Sequence, residues 1–107
     1  MKKIKLTLAL NGRHGVTSLP WEGWEYPEMP GLEGIRLAAI RIPIWNGDAF
    51  VPDTEDWKLT DVIYGKDFYP LVTCWPTKDK LMEKALPVLL CYADQIREKV
   101  KEHGTSF

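Results

Sequence analysis

The sequence predicts an α+β fold: a small, mostly antiparallel sheet of four or five strands with one long C-terminal helix, kinked near Pro87, packed on one face. Three observations carry this expectation. Ile4, Leu6, Leu8 and Leu10 alternate with Lys3, Lys5, Thr7 and Ala9, the period of a strand with one buried side. Asn46-Gly47 stands between two apolar runs, a strong hairpin signal. Leu81, Ala85, Val88, Leu89, Tyr92, Ile96 and Val100 form a helical stripe between a Pro76-Thr77 start and a Gly104 stop. At 107 residues and 45% hydrophobic, the chain suits a single domain over 1–107 with its own core.

In chain order, the first strand is expected to end at Asn11-Gly12. From Val16 to Gly34 the pattern dissolves into prolines, glycines, glutamates and aromatics, which predicts a long ordered loop. Ile35 to Trp45 resumes as a strand and pairs through Asn46-Gly47 with Asp48 to Val51. Pro43 cannot donate to a ladder, so this strand should lie at an edge or have the Pro43 nitrogen facing outward. Asp53 to Lys58 reads as a polar turn or single helical turn, and Leu59 to Tyr64 with Phe68 to Trp75 as a second hairpin around Gly65-Lys66-Asp67. Trp75-Pro76-Thr77-Lys78-Asp79-Lys80-Leu81 is similar to the final strand-to-helix junction of the three-stranded arm-binding domains of phage integrases. That resemblance implies a sheet followed by a capped helix. Those domains read DNA with basic strands, and the strands here carry few cations after Arg41.

Within the helix, Pro87 removes the hydrogen bond to the Glu83 carbonyl, so a kink or a split is expected there. A straight helix from Lys78 to His103 would span roughly 39 Å at about 1.5 Å per residue, longer than a small domain is wide. Its first half adds Met82, Leu86, Leu90 and Cys91 to the apolar arc. Leu81, Met82, Leu86 and Leu90 are therefore the expected contact of a homodimer formed through the C-terminal helix.

Net charge is −1, so no global basic field argues for nucleic acid or an anionic membrane surface, and neither partner is expected. The distribution is uneven. Residues 22–56 carry eight acids against Arg36 and Arg41, a local charge of −6, whereas residues 1–21 carry four cations and no acid. No apolar run approaches membrane-spanning length, and the short Leu6–Leu10 run after Lys2, Lys3 and Lys5 is too brief for a secretory leader. A cytoplasmic protein is the expectation. Cys74 and Cys91 lack partners at zinc spacing and are expected as reduced core thiols. Asp53, Glu55 and Asp56 fit no calcium loop, so neither a metal nor another cofactor is expected.

The most unusual stretch is Pro20 to Pro30. Trp21, Trp24, Pro27 and Pro30 fall on one three-residue register, and Glu22, Glu25 and Glu28 on the next, with Tyr26 between. Polyproline II has three residues per turn, so this spacing would set an aromatic edge beside an acidic one, suited to a basic protein partner. The plainer alternative folds Trp21 and Trp24 inward as a lid over the sheet. Asn11-Gly12-Arg13-His14-Gly15 offers Arg13 and His14 as anion contacts, although Pro20 arrives too soon for the helix of a nucleotide fingerprint. Nothing in the spacing joins His14 to Cys74 or Ser18, so no enzyme chemistry is indicated.

The sequence therefore favours a small non-enzymatic interaction protein, an accessory or inhibitory subunit of phage or mobile-element type, docking its acidic tryptophan-rich segment on a basic partner. The alternative is a small-ligand site in which Trp21 and Trp24, with Trp57 as a third candidate ring, stack on a sugar, base or other planar group while Arg13 or His14 holds an anion. One observation separates them. Either Trp21 and Trp24 line a concave pocket, or their rings are buried, or they splay over a flat surface.

Overall fold

The structure, a computed structural model, describes residues 1–63, 65 and 74–104. The alternation begun at Ile4 forms β1 (Lys2–Arg13), which pairs with β2 (Val16–Glu25); β3 (Leu37–Trp45) and β4 (Phe50–Asp61) follow. These four strands make one antiparallel sheet in the order β1-β2-β3-β4. Helices α1 (Lys78–Cys91) and α2 (Ala93–Gly104) complete the α+β arrangement. The second hairpin expected around Gly65-Lys66-Asp67 lies for the most part outside the described residues.

Two stretches expected to be irregular are strand. Residues 16–25 are not a loop but β2, in continuous register with β1 from Lys2↔Glu25 to Ala9↔Ser18. Pairing with β1 replaces the polyproline period with a period of two. Asn11-Gly12 does not end β1 either. Both residues take positive φ, 53° and 85°, and the register slips between Ala9 and Arg13, so they form a bulge and the turn itself falls on His14-Gly15. Likewise β4 runs through Asp53–Asp56, where the register slips between Arg41↔Trp57 and Pro43↔Pro52. The Asp53 carboxylate accepts the Glu55 N–H at 3.0 Å, so the expected polar turn is a bulge inside the strand.

The period of two sorts the side chains. Leu6, Leu8 and Leu10 share one face with Trp21 and Ile40, and with Trp45 and Phe50 they build one apolar cluster. Trp24, Leu37, Ala39, Trp57 and Leu59 lie on the other face and join the helices in the larger cluster. Contact between the two hairpins is brief. β2 pairs with β3 only at Gly23↔Ile40, Trp24↔Ala39 and Glu25↔Ala38. Gly23 permits that approach, because a Cβ there would lie 2.8 Å from Leu6 Cδ2 and 3.1 Å from Ile40 Cγ2. Beyond it the strands diverge, so Pro43 stands where β3 has lost its β2 neighbour, as its missing N–H demands. At the far edge the Ala9 N–H donates to the Gly65 carbonyl at 3.3 Å, which brings the chain beyond β4 back to β1 and curls the sheet.

The C-terminal segment is not one long helix kinked near Pro87. It is two helices of 14 and 12 residues, and the break falls at Tyr92. Tyr92 takes φ −111° and ψ 13°, and its N–H is shared between the Val88 and Leu89 carbonyls. Its carbonyl accepts the Ile96 N–H at 2.9 Å and so starts α2. Pro87 stays inside α1 because both it and Glu83, whose carbonyl loses a donor, are exposed to solvent. Thr77 caps α1 by accepting the Lys80 N–H at 3.1 Å. Leu81, Met82, Ala85 and Leu89 of α1, with Ala93 and Ile96 of α2, bury the shared apolar side against the sheet. Cys74 and Cys91 are not core thiols: both are exposed.

Residues between β2 and β3 are held tightly under the helices. The Tyr26 hydroxyl donates to the Lys78 carbonyl at 2.8 Å, and Leu32 and Ile35 are buried. Arg97 donates to the carbonyls of Glu33 and Gly31 at 2.8 and 2.7 Å, so it closes onto this segment.

Candidate functional site

The divergence of β2 from β3 opens a wedge in the sheet. It forms a cleft of about 270 Å³ lined by Pro20, Trp21, Glu22, Trp24, Arg41 and Pro52. Trp21 and Trp24 are three apart on one strand, so they leave it from opposite faces, yet both reach the cleft because it cuts through the plane of the sheet. Trp21 bridges the gap. Its indole Nε1 donates to the Arg41 carbonyl at 2.9 Å, where a paired β2 would have supplied a backbone donor. Both rings are partly exposed.

Cations surround the aromatic wall. Trp24 and Trp57 pack edge to face at 5.2 Å between centroids. The Lys78 ammonium lies 4.6 Å from the Trp24 centroid and 4.9 Å from that of Trp57, the Lys3 ammonium 5.7 Å from Trp24, and the Arg41 guanidinium 4.0 Å from Trp57. Arg41 Nη1 is shielded from solvent and donates to no acceptor among the described residues. A shallower groove of about 400 Å³ adjoins the cleft, lined by Lys5, Leu6, Thr7, Pro20, Trp21 and Glu22.

The acidic residues expected to face a partner are largely engaged within the chain. Glu22 pairs with Lys3 at 3.3 Å. Glu25 accepts Arg36 Nε and Nη2 at 2.7 and 2.8 Å, which holds its carboxyl below the usual range and raises the guanidinium. Burial, and next the Asp79 charge, pushes the Tyr26 hydroxyl well above its ordinary value, so it stays a neutral donor. Glu28 is exposed.

The other sequence candidates fall elsewhere. His14 stacks on Trp45 with centroids 4.4 Å apart and planes 5° from parallel, and Arg13 lies 5.8 Å from the Phe50 centroid. Both belong to the meeting of two hairpin tips and neither lines the cleft. Leu81 and Met82 are buried in the chain's own core, Leu86 packs at its margin, and Leu90 is 44% exposed. Trp57, a candidate ring from the sequence, does pack against Trp24, whereas Arg41 and Lys78 were not singled out. Their signal was the strand period: with β3 and β4 paired, Arg41 faces Trp57 directly.

Among the described residues no three His, Cys, Asp or Glu side chains are grouped to hold a metal ion. No helix there is long and apolar enough to cross a membrane. Comparison with known protein families, curated proteins and solved structures finds no match to this chain.

Proposed function

We propose that the protein is a non-enzymatic small-ligand-binding domain whose cleft takes a planar ring against Trp21 and Trp24. The observation that supports this reading most is the cleft itself: two partly exposed tryptophans, two prolines and Arg41 converge on one concavity. At about 270 Å³ it suits one ring with a substituent and is too small for a peptide helix. Docking of an acidic face on a basic partner is the less supported proposal, because Glu22 and Glu25 already hold Lys3 and Arg36.

Titration with uridine, followed by tryptophan fluorescence, tests the reading. Saturable quenching is expected, and Trp24→Leu should weaken it about tenfold or more, since removing a stacking ring costs roughly 1–3 kcal/mol per base. If neither uridine nor uridine 5′-monophosphate quenches the emission, the reading fails.

A further inference from the structure

We infer that the ring bound in the cleft carries a hydroxylated sugar, and that Glu22 is the residue that holds it, by accepting hydrogen bonds from two neighbouring hydroxyls. This rests on the reading of the cleft as a planar-ring site and names the class of ligand for it.

The strand pairing places Glu22 between two concavities. Lys3↔Trp24, Lys5↔Glu22 and Thr7↔Pro20 are cross-strand partners, so by the period of two these six side chains share one face of the sheet. On that face Pro20 and Glu22 stand as a ridge. The cleft lies on the β3 side, toward Arg41 and Pro52, and the shallower groove on the β1 side, toward Lys5 and Thr7, while Pro20, Trp21 and Glu22 line both. The two differ in chemistry. Within the cleft Pro20 and Pro52 have no N–H, and the Trp21 indole N–H is already given to the Arg41 carbonyl at 2.9 Å, so these walls offer ring faces rather than donors. The groove adds the Lys5 ammonium and the Thr7 hydroxyl, on two exposed residues, beside the Glu22 carboxylate. A ligand that suits both is flat and apolar at one end and rich in hydroxyls at the other.

Glu22 decides what joins the two ends. Its side chain is 55% exposed, and its ion pair with Lys3 at 3.3 Å is made through Oε2. A carboxylate has about four lone-pair sites, so Lys3 offsets the charge and leaves acceptor capacity for two further donors. Adjacent sugar hydroxyls are spaced to meet the two oxygens of one carboxylate, the kind of contact by which acidic side chains recognise ribose in dinucleotide-binding folds. A phosphate or carboxylate on the ligand would instead meet a like charge there. Lys5 stands directly opposite Glu22 and Thr7 on the diagonal, about 7–8 Å away, so the two flank the place the sugar would take. The indoles select a planar ring and Glu22 a diol, and the ligand class is a flat heterocycle or arene linked to a diol-bearing sugar, as in a nucleoside.

The test compares two probes that differ only in the diol. The 107-residue chain is titrated with uridine and with 2′,3′-dideoxyuridine, reading tryptophan fluorescence. Uridine is expected to bind about tenfold tighter or more, in line with the worth of hydrogen bonds to a charged group. Glu22→Ala should bring uridine to the affinity of the dideoxy probe while leaving that probe unchanged, whereas Lys3→Met, which breaks the same ion pair, should keep most of the preference. Equal affinities for the two probes in the unaltered chain overturn the inference and leave the planar-ring reading standing. A preference that survives Glu22→Ala overturns the assignment to Glu22. Quenching by neither nucleoside overturns the inference, and if uridine 5′-monophosphate also fails to quench, the planar-ring reading falls with it. The comparison in the unaltered chain needs no variant, so it decides on the sugar even if Glu22→Ala fails to fold.

Discussion

Glu25 shows how a residue that looks like part of a binding surface can be structural. It ends β2 facing β3, and the bidentate hold of Arg36 leaves its side chain only 16% exposed. The pair locks the exit of β2 to the start of β3, since Val62 N–H also donates to the Arg36 carbonyl at 3.0 Å. Because the folded carboxyl titrates below its ordinary value near 4.5, its contribution is fully present above that pH. It is lost as pH falls through the lower folded value. Glu25→Gln is therefore expected to cost about 1 kcal/mol at neutral pH and much less at pH 3. Thermal melts of both chains across that range check this: parallel pH profiles for the two would show that the ion pair carries none of the acid sensitivity. At this scale the sequence was legible in type and not in partner. An Arg eleven residues from a Glu gives no hint of a bidentate pair until the strands are laid side by side.

At the scale of elements, the helical segment was recognised from its stripe, cap and stop, while its break was misplaced. Pro87 looked decisive because proline forfeits a hydrogen bond, but the loss costs least where the abandoned carbonyl faces water. The break falls instead at Tyr92, whose φ of −111° leaves the helical basin and whose ring is exposed in the middle of the stripe. Pro87→Ala should thus leave two helices and raise stability by roughly 1–3 kcal/mol, as a restored interior residue does. A lower thermal midpoint in that variant would show that the proline shapes the segment after all. β2 was the larger miss, and the cause is again physical. Its buried positions alternate between faces that are both apolar, Trp21 toward one cluster and Trp24 toward the other, so no single hydrophobic period could appear. What remained visible was the accidental period of three in Trp21, Trp24, Pro27 and Pro30. The cleft was half legible for the same reason: Trp21, Glu22 and Trp24 were singled out, but Arg41 lies across a strand pairing that only the fold supplies.

Over the whole molecule, the wedge is held open and held together by the same geometry. The two hairpins touch at the Gly23 crossing, separate around the cleft, and meet again where His14 stacks on Trp45 and Phe50 packs on both rings at 5.8 and 5.1 Å. The aromatic clasp therefore closes the far end of an opening whose near end is fixed by main-chain pairing. Its members belong to different hairpins, so it stabilises their relative position more than either hairpin alone. His14→Asn keeps the left-handed backbone that φ 50° requires while removing the ring, and Trp45→Leu removes its partner. A double-mutant cycle on these two should give a coupling of roughly 0.5–1.5 kcal/mol in stability, the usual worth of an aromatic pair. Each single variant should also weaken uridine binding without altering any residue that lines the cleft, because the spacing of Trp21 from Arg41 depends on both ends of the wedge. Unchanged affinity in a folded His14→Asn protein would mean that the Gly23 crossing and the Trp21 bridge set the cleft by themselves, and that the clasp serves stability alone.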